Sequence, residues 1–119
     1  MFEITTETSF SAAHRLKNYQ GPCENLHGHN WLVKATVRCT ELDNAGIGID
    51  FKILKNHLKT IADQFDHKDL NEVLEANPSS ENIACFIFGQ LKIAMAGSKV
   101  TVVRIEVQET PGNAAVYYE

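Results

Sequence analysis

Two histidines separated by one residue, His27 and His29, follow Cys23 in a short polar segment. In an extended chain alternate side chains lie on one face, so both imidazoles can point the same way and bind one metal ion. Neutral imidazole is a good ligand for Zn²⁺. Alternatively, both rings hydrogen-bond to backbone groups. A nearby cation would favour the Cys23 thiolate as a base or nucleophile, whereas a lone cysteine is often a small buried hydrophobe.

His14 is the best candidate for a third ligand. Catalytic zinc sites usually have three protein ligands and leave one position for water or substrate. We expect His14 just after the first strand, where a loop over residues 11–26 can bring it beside His27 and His29. The three histidines would then form an open metal site.

Asp66 and His67 are adjacent in a polar segment that follows the first predicted helix. An imidazole near Cys23 could exchange a proton with it, and a carboxylate could orient that imidazole. Adjacent residues do not face each other on a helix, so this pairing requires a non-helical turn. Asp69 is a competing partner, and an ordinary solvated loop is the alternative.

Glu109 is expected at the end of a strand, just before the turn Pro111-Gly112-Asn113. A carboxylate there can accept paired hydrogen bonds from a ring N–H and an exocyclic amine. The alternative is an exposed strand terminus without such a role.

The composition restricts the class of protein. A chain of 119 residues with 44% apolar and 22% charged residues is expected to form one domain, and short catalytic chains often oligomerise. The net charge of −4 argues against nucleic-acid binding. No apolar run approaches the roughly 18 residues of a membrane span, and no signal peptide is recognisable. Three cysteines without a C-x-x-C pair favour the cytoplasm.

Period-2 alternation predicts four strands. The first covers residues 2–10 and precedes a loop over 11–25. The second covers 30–39, with Trp31, Val33, Ala35 and Val37 on one face, and extends back to His27 with the histidines in phase. The remaining strands cover 100–108 and 114–118.

Two helices lie between the second and third strands. Asp50 is a predicted N-cap for the first, and Ser79 or Ser80 for the second, which closes at Gly97. The segment 66–78 reads as irregular. The order β-β-α-α-β-β predicts an α+β fold, an antiparallel sheet with two helices on one face. The predicted buried stripes are Leu54, Leu58, Ile61 and Phe65 in the first helix and Ile83, Ile87, Leu91 and Ala94 in the second.

With these residues assembled, the chain resembles the 6-pyruvoyl-tetrahydropterin synthase family over its full length, most closely its bacterial type (QueD), which forms 6-carboxy-5,6,7,8-tetrahydropterin. Six markers in the right order carry the resemblance: Ser11-Ala12-Ala13-His14-Arg15-Leu16, Cys23-x-x-x-His27-Gly28-His29, Ile49-Asp50-Phe51, Phe65-Asp66-His67-x-x-Leu70-Asn71, Asn77-Pro78-Ser79-Ser80-Glu81-Asn82 and Glu109-Thr110.

The resemblance implies a T-fold unit that assembles as a trimer and pairs into a hexamer. It also implies a lyase that converts 7,8-dihydroneopterin triphosphate to 6-carboxytetrahydropterin, acetaldehyde and triphosphate, a step toward queuosine. The implied residue roles are Zn²⁺ binding by His14, His27 and His29, general-base catalysis by Cys23 with help from His67 and Asp66, and pterin anchoring by Glu109.

Two further hypotheses concern the substrate. Arg15 and Lys17 flank His14 and are nominated as contacts for the triphosphate, because an acidic protein must concentrate cations locally. Glu24 leaves a second pathway open, since some family members with Glu at this position form 6-hydroxymethyl-dihydropterin for folate synthesis. A non-catalytic metal-binding module or a small three-histidine zinc hydratase is the third reading.

Overall fold

The structure is a computed structural model that describes residues 1–19, 21 and 25–119. It has five strands: β1 (Phe2–His14), β2 (His27–Cys39), β3 (Lys68–Asp69), β4 (Thr101–Thr110) and β5 (Asn113–Tyr118). The helices are α1 (Phe51–Ala62), α2 (Leu70–Val73) and α3 (Ser80–Ala94).

The strands form one sheet in the order β3-β1-β2-β4-β5. The four long strands pair antiparallel, and the helices cover one face, which confirms the predicted α+β architecture. The sheet is mixed because β3 pairs parallel with β1 at Ala12 and Ala13. Both β3 and α2 lie in the segment predicted to be irregular. Elements of two and four residues are too short to produce a periodic pattern.

β1 continues to His14, so the prediction of a loop from residue 11 was wrong. Ser11, Ala12 and Ala13 have weak strand propensity, but each pairs with a residue of β2. The backbone pairing therefore outweighs the local preference. As a result His14 is the last residue of a strand, and its position is set by the register with β2.

The helix starts agree with the predictions. The Asp50 carboxylate accepts from the backbone N–H of Lys52, and the Ser79 hydroxyl accepts from that of Asn82. α3 ends before the predicted Gly97, which has a left-handed φ of 82°. Met95 is the C-cap.

The core lies between the sheet and the helices. The apolar face of β2 is buried, together with most of the α3 stripe. The four residues of the stripe predicted for the first helix are buried too, but Phe65 lies in the turn that follows the end of α1 at Ala62. Ala94 is exposed, contrary to the prediction, and Met95 is buried in its place. Cys39 is buried, whereas Cys85 is exposed.

In the part of the chain that the structure describes, no helix is long and apolar enough to cross a membrane.

Candidate metal centre and adjoining acid–base pair

The register of β1 and β2 assembles the three predicted histidine ligands. His14 lies directly opposite His27, and Ala12 lies opposite His29. His27 and His29 share a face because they are two residues apart on β2, and His14 points to that face from β1. The Nε2 atoms of His14 and His27 are 3.1 Å apart. The structure therefore brings together the ligand set that the spacing of the histidines indicated.

Hydrogen bonds to two carbonyl groups orient the rings. The Nδ1 of His14 lies 2.7 Å from the carbonyl oxygen of Pro78, and the Nδ1 of His27 lies 2.7 Å from that of Asn25. A carbonyl oxygen only accepts, so each Nδ1 carries the proton and each Nε2 of a neutral ring presents a lone pair. Two lone pairs 3.1 Å apart require a cation, either a proton or a metal ion, between them.

His29 supplies the third nitrogen of the cluster. Its Nε2 is buried and forms no hydrogen bond with any described residue. Burial lowers the pKa of His29, the carboxylate of Glu109 opposes that shift, and the nearby His27 and His14 add to it. A lowered pKa favours the neutral form of the ring, which is the form that binds a metal ion.

Glu109 also points into the histidine cluster. Its Oε1 lies 3.0 Å from the Nε2 of His14 and 3.4 Å from that of His29. Together with His27 these residues place one ligand atom each within 4.8 Å of one another. Neither interpretation of Glu109 from the sequence, as a ring anchor or as an exposed strand terminus, predicted a position among the histidines.

A signal for that position was present in the sequence. Glu109 is in phase with Ile105 and Val107, which are both fully buried, so alternation places its side chain on the core face. The pairing of β4 with β5 also shifts register between Gln108 and Thr110, and such bulges re-aim side chains next to functional sites.

Trp31 packs against two of the histidine rings in the cluster. Its ring is edge-on to those of His14 and His29, at centroid distances of 4.9 and 5.4 Å. Its Nε1 donates to the carbonyl oxygen of Ala12, and its ring stacks on Phe10. The sequence had indicated only a core residue at this position.

Asp66 and His67 form the expected pair in a non-helical turn. His67 has a left-handed φ of 59°, and its Nδ1 lies 3.0 Å from the Oδ2 of Asp66. The other carboxylate oxygen accepts from the backbone N–H of Ser11, which lowers the pKa of Asp66, as does the contact with His67. Asp69 is not the orienting group, because its side chain caps α2 by accepting from the N–H of Asn71.

One cleft touches both groups, through His29 of the histidine cluster and His67 of this pair. It has a volume of about 490 Å³ and opens between His29 and His67. Lys68, which the sequence reading had not singled out, contributes a cation to the wall. The cleft is lined by Ser11, Ala12, Ala13, Gly28, His29, Asn30, His67 and Lys68.

The chain beyond His14 is held by two asparagine side chains. The Asn71 amide accepts from the N–H of Arg15 and donates to its carbonyl, at 2.8 and 2.9 Å. Asn77 makes the same pair of bonds with Lys17, both at 2.9 Å. The side chains of Arg15 and Lys17 are exposed, and neither forms an ion pair with a described residue. Cys23 and Glu24 lie outside the described residues.

The donor set suits Zn²⁺. Three imidazole rings, of which two are oriented by carbonyl groups and the third has no hydrogen bond at Nε2 with a described residue, are typical of a zinc site with its second shell in place. The fold and this cluster define an α+β protein with a candidate metal centre where two strands end.

Comparisons with known proteins agree with this class. A sequence model of the 6-pyruvoyl tetrahydropterin synthase family matches residues 3–119. The chain therefore belongs to this family.

Individual relatives extend the agreement. The chain is 37% identical to a Synechocystis protein named 6-carboxy-5,6,7,8-tetrahydropterin synthase, over 99% of this chain and 94% of the relative. A Bacillus subtilis protein of the same name is 31% identical over 98% and 84%. The solved structure of Caenorhabditis elegans 6-pyruvoyl tetrahydropterin synthase has a TM-score of 0.83 at 33% identity and covers 100% of this chain and 97% of its own. The fold is thus the T-fold of these structures.

Proposed function

We propose that the chain is a zinc-dependent pterin synthase that converts 7,8-dihydroneopterin triphosphate to 6-carboxy-5,6,7,8-tetrahydropterin, acetaldehyde and triphosphate, in a cytoplasmic route to queuosine. The observation that carries the proposal is the cluster of His14, His27, His29 and Glu109, together with a cleft of about 490 Å³ that is lined by His29 of this cluster and by His67. The names of the Synechocystis and Bacillus subtilis relatives support this product over others of the family.

The proposed chemistry divides between the two ends of the cleft. A bound Zn²⁺ would polarise the oxygens of the substrate side chain and acidify the adjacent C–H and O–H protons. The Nδ1 of His67 faces Asp66, so its Nε2 is free to accept a proton from the substrate and return it later. Cys23 is assigned as the general base, and Glu109 as the anchor for the pterin ring.

Binding of the triphosphate requires cations near the cleft. We assign it to Arg15 and Lys17, whose backbones are held by Asn71 and Asn77 while their side chains stay exposed. If Arg15→Ala leaves the affinity for the triphosphate substrate unchanged, this assignment is wrong.

We also propose that the active form is the trimer-based hexamer. The molecule is elongated, at 53 × 25 × 23 Å, and its Cα radius of gyration of 15.2 Å exceeds the roughly 13.5 Å of a compact chain of this length. Among the described residues nothing pairs with the outer edge of β5, and β3 covers only two residues of β1. Light scattering that gives a monomer at assay concentration would contradict this proposal.

The folate pathway is the second candidate, because the chain contains Glu24 next to Cys23. In that case the product is 6-hydroxymethyl-dihydropterin. Cys23→Ala and Glu24→Ala, assayed in parallel, show which residue each activity requires.

The decisive experiment is incubation with 7,8-dihydroneopterin triphosphate, with and without a chelator, followed by identification of the products. Acetaldehyde and a 6-carboxypterin support the proposal, and a hydroxymethyl pterin supports the folate role. His67→Asn should lower kcat by about 10²–10⁴-fold. His57→Asn, a histidine of α1 outside the cleft, is the matched control. If the protein turns over no pterin, the functions that remain are those of a metal-binding module or a zinc hydratase.

A further inference from the structure

We propose that Glu109 is a displaceable fourth ligand, which closes the three-histidine metal site in the absence of substrate and leaves it when a pterin ring binds the carboxylate. The inference depends on the proposed function, because the ring contact belongs to that proposal. The inference adds to the proposed function that binding of the pterin ring opens the metal centre.

Three distances within the cluster are close to the edges of a tetrahedral site. Ligand atoms bound to zinc at about 2.0–2.1 Å lie about 3.4 Å apart when the geometry is tetrahedral. The Oε1 of Glu109 is 3.0 Å from the Nε2 of His14 and 3.4 Å from that of His29. The Nε2 atoms of His14 and His27 are 3.1 Å apart. Glu109 therefore lies where a fourth ligand belongs.

The surroundings of Glu109 leave its carboxylate free for this role. Its side chain is 27% exposed, and among the described residues the only basic side chains within 4 Å of its carboxylate are the imidazoles of His14 and His29. By contrast, Glu106 on the same strand pairs with Lys34 across β2 at 3.7 Å. Since no lysine or arginine in the described part of the chain competes for Glu109, the cation that would hold it is one bound by the histidines.

The two contacts of Glu109 exclude each other. A paired hydrogen bond to a ring N–H and an exocyclic amine uses both carboxylate oxygens. An oxygen bound to a metal ion keeps a lone pair, but Oε1 lies 3.0 and 3.4 Å from the Nε2 atoms of His14 and His29, so a ring edge in line with both oxygens would have to occupy the space of these imidazoles. Ring binding must therefore withdraw the carboxylate, and an oxygen of the substrate side chain takes the vacated position. This is an exchange of ligands, in which no proton or electron is transferred.

A Co²⁺-loaded full-length protein tests the exchange through its visible absorption, with azide as the probe of an open position. The wild type should bind azide at least about tenfold more weakly than Glu109→Ala. A pterin without a side chain should raise the azide affinity of the wild type toward that of the variant and leave the variant unchanged. Zn²⁺ affinity should fall at least about tenfold in Glu109→Ala, since loss of second-shell groups alone costs that much. Glu106→Ala, with the same change in charge, should behave as wild type.

Equal azide affinity in the wild type and Glu109→Ala would overturn the inference, as would an affinity in the wild type that does not respond to the pterin. Binding of the pterin to the wild type is measured through the fluorescence of the pterin, and a lack of binding would overturn ring-triggered opening as well. Either result together with normal product formation refutes the inference alone. Absence of turnover with dihydroneopterin triphosphate refutes the proposed function instead, whatever azide does.

Discussion

Replacement of Asn77 with alanine should destabilise the fold and weaken metal binding, although Asn77 touches no metal ligand directly. Its amide forms two hydrogen bonds of 2.9 Å with the backbone of Lys17. Each such bond contributes about 0.5–1.5 kcal/mol, and partial exposure favours the lower half of that range, so the variant should lose about 1–2 kcal/mol. At about 4 °C per kcal/mol, the Tm should fall by roughly 4–8 °C.

The effect on metal binding follows from the next residue. The carbonyl of Pro78 accepts the Nδ1–H of His14, so loosening the segment at Asn77 disturbs the orientation of that ring. Second-shell changes of this kind lower metal affinity by about 10–100-fold. We expect a decrease near the lower end, because the Pro78 carbonyl itself remains.

Urea unfolding at fixed protein concentration and a competitive Zn²⁺ titration measure the two effects. Asn77→Asp keeps the acceptor for the Lys17 N–H and loses the donor, so it should fall between wild type and Asn77→Ala. Asn56→Ala is the control, since the Asn56 side chain makes no hydrogen bond with a described residue. An Asn77→Ala protein within about 0.5 kcal/mol of wild type, with unchanged zinc affinity, would refute the reasoning.

Three further outcomes are expected. Removal of zinc with a chelator should lower the unfolding free energy by about 2.7 kcal/mol, relative to protein in the presence of free zinc at 100 times its Kd. If calorimetry shows no change, a metal site in the folded state is contradicted. The pKa of Asp66 is lowered mainly by its hydrogen bond from the Ser11 N–H, so the stabilisation from this contact is present above the ordinary pKa of 3.8 and is lost as the pH falls through the lowered value. Between about pH 5 and pH 3 the wild type should therefore lose more stability than Asp66→Asn, and parallel curves of unfolding free energy against pH would count against the contact. A Cβ at Gly48 would clash with the Sγ of Cys39, so Gly48→Ala should destabilise the fold by about 1–3 kcal/mol in urea unfolding. Gly46→Ala has no neighbour within 4 Å of the added Cβ among the described residues and should cost only what its left-handed φ of 79° imposes.

The sequence determined the elements that carry the site. Alternating residues in β2 put His27 and His29 on one face, and the caps Asp50 and Ser79 are short-range contacts that local sequence specifies. The fold class and the three candidate metal ligands could therefore be predicted. Pairing of Asp66 with His67 also required only a local turn, which the left-handed φ of His67 provides.

Only the tertiary structure decided how these residues meet. The extension of β1 to His14 depends on its register with β2, and the carbonyl that orients the His14 ring comes from Pro78, 64 residues away. The carboxylate of Glu109 reaches the cluster from the far side of β2, and Asn77 holds a segment 60 residues earlier. These contacts connect backbone and side-chain groups that no local pattern relates, because strand register is set by packing over the whole sheet. The sequence by itself thus determined which side chains could bind a metal, and the pairing of the strands decided which atoms point at it.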